Sequence, residues 1–77
     1  MALKVYRRLK SLHNDILACV REGSRARLFR HVDDEGEHRI ELHFERIQGR
    51  RVSHLKAAEL ELLAGLPGVR EALEGDL

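Results

Sequence analysis

Val5, Leu9, Leu12, Ile16 and Cys19 recur at spacings of three and four, with Tyr6, His13 and Val20 at the edges of the stripe. That period belongs to a helix with one face buried. It predicts a helix over residues 3 to 22, ended by Gly23, because glycine accepts the left-handed conformation that commonly follows a helix. The opposite face carries Arg7, Lys10, Asn14 and Arg21, with Lys4 and Arg8 on its flanks.

From Arg25 the period changes to two. Residues 38 to 46 alternate, with Ile40, Leu42 and Phe44 on one side and Arg39, Glu41, His43 and Glu45 on the other, as in a strand with one face buried. Arg25 to Val32 is also strand-like, and the intervening Asp33-Asp34-Glu35-Gly36-Glu37 has the composition of a hairpin loop. Centring the hairpin on Glu35 sets Ala26 opposite Phe44, Leu28 opposite Leu42 and Arg30 opposite Ile40 on one face. The other face then pairs Arg25 with Glu45, Arg27 with His43, Phe29 with Glu41 and His31 with Arg39. A slip of one residue would set each apolar face against a polar one, so this register is the expected one.

Gln48-Gly49 marks a second turn. A three-residue loop with Gly49 left-handed would return Val52 to the apolar face of a short third strand. Ser53 then caps a helix starting at His54, with Leu55, Ala58, Leu62 and Leu66 in one stripe and Leu60 and Leu63 widening it. Gly65 ends that helix, Pro67 fits the first turn of a final short one, and Val69 and Leu73 anchor the latter. The order is αβββαα, an α+β fold with helices on one face of a three-stranded antiparallel meander, in a single domain over residues 1–77.

Composition adds constraints. A domain of 77 residues has a small core, and the apolar face of residues 55 to 66 exceeds what one short sheet covers. Both point to a homodimer whose assembly residues are Leu55, Leu60, Leu62, Leu63 and Leu66, joined by Leu9 and Ile16 of the first helix. No apolar run approaches membrane-spanning length, the segment Met1 to Arg8 lacks the apolar stretch of a secretory signal, and the lone Cys19 forms no internal disulfide. A cytoplasmic chain with no membrane partner is expected. The net charge of +1 hides a polarity: residues 1 to 30 carry eight basic against two acidic side chains, residues 55 to 77 two against five. Such asymmetry suits an acidic partner for the first half or complementarity between the two ends.

No pattern for catalysis emerges, and an enzyme is not expected. Cys19 lies on the apolar stripe near a helix C-terminus, where the dipole disfavours a thiolate. Ser11, Ser24 and Ser53 lack a nucleophile context, and no glycine-rich loop could cradle a phosphate. His13, His31, His38, His43 and His54 do not occur at a recognised ligand spacing, and the acidic loop lacks the spacing of a calcium site. No metal, cofactor or small-molecule substrate is expected.

Two binding classes remain. The polar sheet face presents Arg25, Arg27 and Arg39 around Phe29, the ingredients of a stacking platform for single-stranded nucleic acid, with the tract Arg50-Arg51 at the sheet edge and Arg7, Arg8 and Lys10 on the first helix. The meander followed by a helix, over residues 25 to 66, resembles in pattern the whirly-type single-stranded-DNA binders related to a transcriptional coactivator, in which strands precede a dimerising helix. The helix ahead of the meander departs from that pattern. Against nucleic acid stand Glu41 and Glu45 on the same face and the near-neutral charge. A protein-binding or regulatory module of adaptor or inhibitor type, with a protein partner slightly favoured over nucleic acid, is the expectation that composition supports better.

Overall fold

The computed structural model describes residues 3–77. Met1 and Ala2, the first residues of the segment read above for a secretory signal, lie outside the described residues. Helix α1 spans Leu3–Arg21 and buries Leu9, Leu12, Ile16 and Cys19, the stripe its period predicts. It closes as expected around Gly23: Ser24 N–H donates to the Cys19 carbonyl (2.9 Å) and Gly23 N–H to that of Val20 (3.0 Å), with Gly23 at φ 74°. A Cβ at Gly23 would meet no atom within 4 Å, so its cost is purely that of the left-handed backbone. Gly23→Ala is therefore expected to lower unfolding free energy by about 1 kcal/mol in a denaturant titration. An unchanged midpoint would show that the helix ends in another way.

Strands β1 (Arg25–Val32) and β2 (His38–Arg46) pair in the register centred on Glu35, from Arg25 opposite Glu45 to Val32 opposite His38. Asp33 shapes the turn between them. Its carboxylate accepts the N–H groups of Glu35 and Glu37, both at 2.9 Å, and pairs with Arg39 Nε at 2.8 Å. The Arg39 guanidinium, then the Glu37 amide, hold the Asp33 carboxyl below its ordinary value. A carboxyl lowered in the folded state adds stability that is present above its unfolded pKa, about 4, and is lost as pH falls through the folded value. The difference in melting temperature between the native chain and Asp33→Ala should accordingly shrink as pH is lowered below about 4. A difference that persists at pH ~2 would mean that the carboxylate charge is irrelevant to the turn.

The second turn departs from expectation. It holds two residues, Ile47 and Gln48, and Gly49 (φ 129°) already pairs with Arg46. One residue fewer in the loop reverses the parity of β3 (Gly49–Leu55). Val52 therefore lies opposite His43 on the outer face, and Arg51, Ser53 and Leu55 face the helices opposite Phe44, Leu42 and Ile40. The observed register buries Leu55 in place of the smaller Val52, and turns Arg51 rather than Arg50 and His54 toward α1. There the Arg51 guanidinium lies 5.0 Å from the centre of the Phe44 ring and pairs with Asp15.

Because β3 stays paired through Leu55, helix α2 starts at Ala57 (Ala57–Ala64) and not at His54. Ser53 remains in the strand and does not cap the helix; Glu59 instead reaches back to the Lys56 N–H at 3.0 Å. The stripe changes with the starting point. Leu60, Leu63 and Ala64 are buried, and Leu62, expected within the main stripe, is exposed. Gly65 follows the helix as expected, but Pro67 lies in the turn ahead of α3 (Val69–Ala72) rather than in its first turn.

Helix α1 packs on β1 and β2 of the sheet, whose order is β1-β2-β3, and α2 and α3 pack against α1 around the same core. One core joins Leu9, Leu12, Ile16 and Cys19 of α1 to Ala26, Leu28, Ile40, Leu42, Phe44 and Leu55 of the sheet, and to Leu60, Leu63, Val69 and Leu73. Burial pushes the Cys19 thiol above its ordinary pKa, which leaves it protonated and inert. Among the described residues no helix is long and apolar enough to cross a membrane.

Candidate functional site

Strand alternation sends the side chains of Arg25, Arg27, Phe29, His31, Arg39, Glu41, His43, Glu45, Val52 and His54 to the face of the sheet that no helix covers. At its centre the Phe29 ring, 39% exposed, meets His43 at 4.4 Å between centroids, and the Arg27 guanidinium carbon lies 5.2 Å from the same ring. Glu41 bridges two histidines, with Oε1 at 3.1 Å from His43 Nε2 and Oε2 at 3.3 Å from His54 Nε2. The hydrogen bond from His43, followed by the field of His31 and His54, lowers the Glu41 carboxyl from its ordinary value. Among the described residues no group of three or more His, Cys, Asp or Glu side chains is placed to hold a metal ion.

The basic residues expected to form one nucleic-acid face are divided among several surroundings. Arg27 Nε lies 3.5 Å from the Asp76 carboxylate, and Arg39 is held by Asp33. Arg51 is not at the edge of that face, because the parity of β3 turns it under the sheet to Asp15. Arg8, on the flank of α1 as expected, pairs with Glu59 at 2.6 Å and donates to the His54 carbonyl, tying α1 to α2 and β3. Arg25, Arg7 and Lys10 have no ion-pair partner among the described residues, but Arg25 lies on the sheet and the other two on α1.

The expected assembly residues divide too. Leu9, Ile16, Leu55, Leu60 and Leu63 fill the core of the chain itself, Leu66 is half-buried against it, and Leu62 is 45% exposed. Leu62 borders a groove of about 370 Å³ lined by Tyr6, Leu9, Lys10, His13, Leu62 and Leu66. Tyr6 is 58% exposed and Leu3 stands one turn before it. His13 Nε2 lies 2.7 Å from the Pro67 carbonyl and fixes the far end of the groove. On the other side of Leu62 a second depression runs between Lys4, Val5, Arg8, Lys56, Ala58 and Glu59.

Tyr6 and Leu3 are not among the assembly residues expected from the sequence, although they belong to a pattern that it carries. Leu3, Tyr6, Lys10, His13, Leu17 and Val20 form a second stripe at spacings of three and four beside the core stripe. The middle of that stripe is covered where Pro67 meets His13 and Gly68 meets Leu17, and its ends, at Leu3-Tyr6 and Val20, stay exposed.

Comparison of the chain with protein families, curated proteins and solved structures yields no match, so the reading of the site rests on its own geometry.

Proposed function

We propose that the chain is a non-enzymatic protein-binding module of adaptor or inhibitor type that works as a homodimer joined through the α1/α2 face. The observation that carries this reading is the exposure of Leu62 and Tyr6 on the two sides of an apolar groove, next to helical neighbours that are wholly buried. An exposed leucine and tyrosine around an apolar depression are the elements of an interface core.

A second copy suits this surface because the surface is self-complementary. Leu62 projects between two depressions, so a two-fold contact sets the Leu62 of each chain into a depression of the other. The rims also match in charge, since α1 presents Lys4, Arg7 and Lys10 and α2 presents Glu61. Laying the α1 of one copy along the α2 of the other brings opposite signs together. Protein is favoured over nucleic acid as the further partner because Arg27 and Arg39, two of the three arginines expected around Phe29, are already paired with Asp76 and Asp33.

Light scattering over a range of concentrations tests the dimer. The expected mass is twice that of the 8.9 kDa chain. A mass of one chain at every concentration would overturn the reading, and a salt-sensitive gain of mass on adding a short single-stranded oligonucleotide would transfer it to nucleic acid.

A further inference from the structure

Edge strands carry backbone N–H and C=O groups that no neighbouring strand pairs, and both edges of this sheet are met by a charged side chain of the chain itself. At β3 the outward His54 carbonyl accepts from Arg8. At β1 the outward Leu28 N–H donates to Asp76 Oδ2 at 3.1 Å. The same oxygen lies 3.5 Å from Arg27 Nε, and the Asp76 backbone carbonyl accepts from Arg30 Nη1 at 2.8 Å. A single aspartate thus occupies one strand amide and the two guanidinium groups that flank it.

We propose that the β1 edge is a binding site for an extended acidic peptide of a partner protein, with Asp76 as the resident stand-in that keeps it closed. Strand alternation turns the Ala26 and Arg30 amides the same way as Leu28, so an added strand finds further donors in line with the one Asp76 takes. Arg25, Arg27 and Arg30 give that edge a positive charge, and Arg25 has no ion-pair partner among the described residues. Backbone carbonyls of the incoming strand take the Ala26, Leu28 and Arg30 amides, and an aspartate or glutamate side chain on its outer face takes the place of the Asp76 carboxylate beside Arg27.

The stand-in lies outside the hydrophobic core. Asp76 follows the four-residue α3 in a segment of turns, with Gly75 at φ 90° and an Asp76 N–H bond to the Leu73 carbonyl at 3.0 Å. The Asp76 side chain is 20% exposed and its Arg27 partner 37%, so water and salt reach the pair and weaken it. Release requires only this segment to swing away, with the core residues Val69 and Leu73 left in place. The site uses β1 and the segment after α3, so it is independent of the groove between α1 and α2.

The test uses a fluorescein-labelled peptide with the sequence of residues 70–77, Arg-Glu-Ala-Leu-Glu-Gly-Asp-Leu, titrated against the whole chain by anisotropy. Asp76→Ala is expected to bind the peptide about tenfold or more tightly than the native chain, because the competitor in cis is gone. Adding Arg27→Ser and Arg30→Ser to that variant should abolish the binding, as should asparagine in place of the peptide's aspartate. Equal affinity for the native chain and Asp76→Ala would overturn the proposal, as would binding that survives loss of both arginines. Displacement of the peptide by a short oligonucleotide of equal charge would assign the edge to nucleic acid instead. Should Asp76→Ala fail to fold, excess peptide added to the native chain must shift the amide resonances of Ala26, Leu28 and Arg30, and unmoved resonances would overturn the site.

Discussion

Leu63→Asp is expected to unfold the chain, and the same change one residue earlier, Leu62→Asp, to leave it folded and to abolish the proposed dimer. The two leucines are chemically identical and adjacent on α2, yet Leu63 is 0% exposed and Leu62 45%. An aspartate at position 63 would bring a carboxylate into a core that holds no polar partner for it, at a cost of several kcal/mol. A domain of this size has only about 5 kcal/mol of stability to lose. At position 62 the carboxylate stays in water, and the direct cost is the lower helix propensity of aspartate, about 0.5 kcal/mol. What it does disturb is the apolar ridge between the two grooves. Circular dichroism and light scattering on the two variants read fold and mass separately. A folded Leu63→Asp would contradict the assignment of α2's buried face, and a dimeric Leu62→Asp would remove the α1/α2 face as the interface.

Phe44→Ala is expected to lower the melting temperature by at least about 12 °C, the shift that a loss of about 3 kcal/mol or more produces in a domain this small. Phe44 is among the largest fully buried side chains, 2% exposed, and it sits in the middle strand opposite Ala26 and Arg51. Ala26 is too small to fill the space its ring would vacate. Removing the ring also takes away the surface over which the Arg51 guanidinium lies on its way to Asp15, so the tie between β3 and α1 weakens with the core. A shift under about 5 °C would mean that the site collapses freely and that Phe44 is not tightly packed.

The elements that were legible in the sequence are those decided by near neighbours. The stripe from Leu9 to Cys19 and the glycine that follows it determine α1 and its buried face, because a helix repeats every 3.6 residues whatever it packs on. The β1–β2 register was legible because Ala26 and Leu28 share one face of β1 and Ile40, Leu42 and Phe44 one face of β2, and a slip of one residue would put Leu28 and Leu42 on opposite faces of the sheet. Strand β3 carries no such bias. Its residues Arg50, Arg51, Val52, Ser53, His54 and Leu55 mix polar and apolar side chains on both faces, so a loop of two or three residues gives an admissible strand either way. The choice falls to contacts made far along the chain: Leu55 with the helical core, and Arg51 with Asp15, 36 residues away.

The candidate site follows the same division. Phe29 among arginines could be placed on the outer face by alternation alone, but the partners of those arginines could not. Arg27 is matched by Asp76, which the fold returns from the far end of the described chain, and Arg8 by Glu59 across α1 and α2. By itself the sequence determined the order αβββαα, the first helix, the first hairpin and its two faces, since periodicity and cross-strand pairing act within a few residues or across one short turn. Only the tertiary structure decided the face of β3, which leucines of α2 lie in the core and which stand exposed, and which charges are already paired. Each of these depends on a surface assembled from segments distant in sequence, and no local pattern carries its outcome.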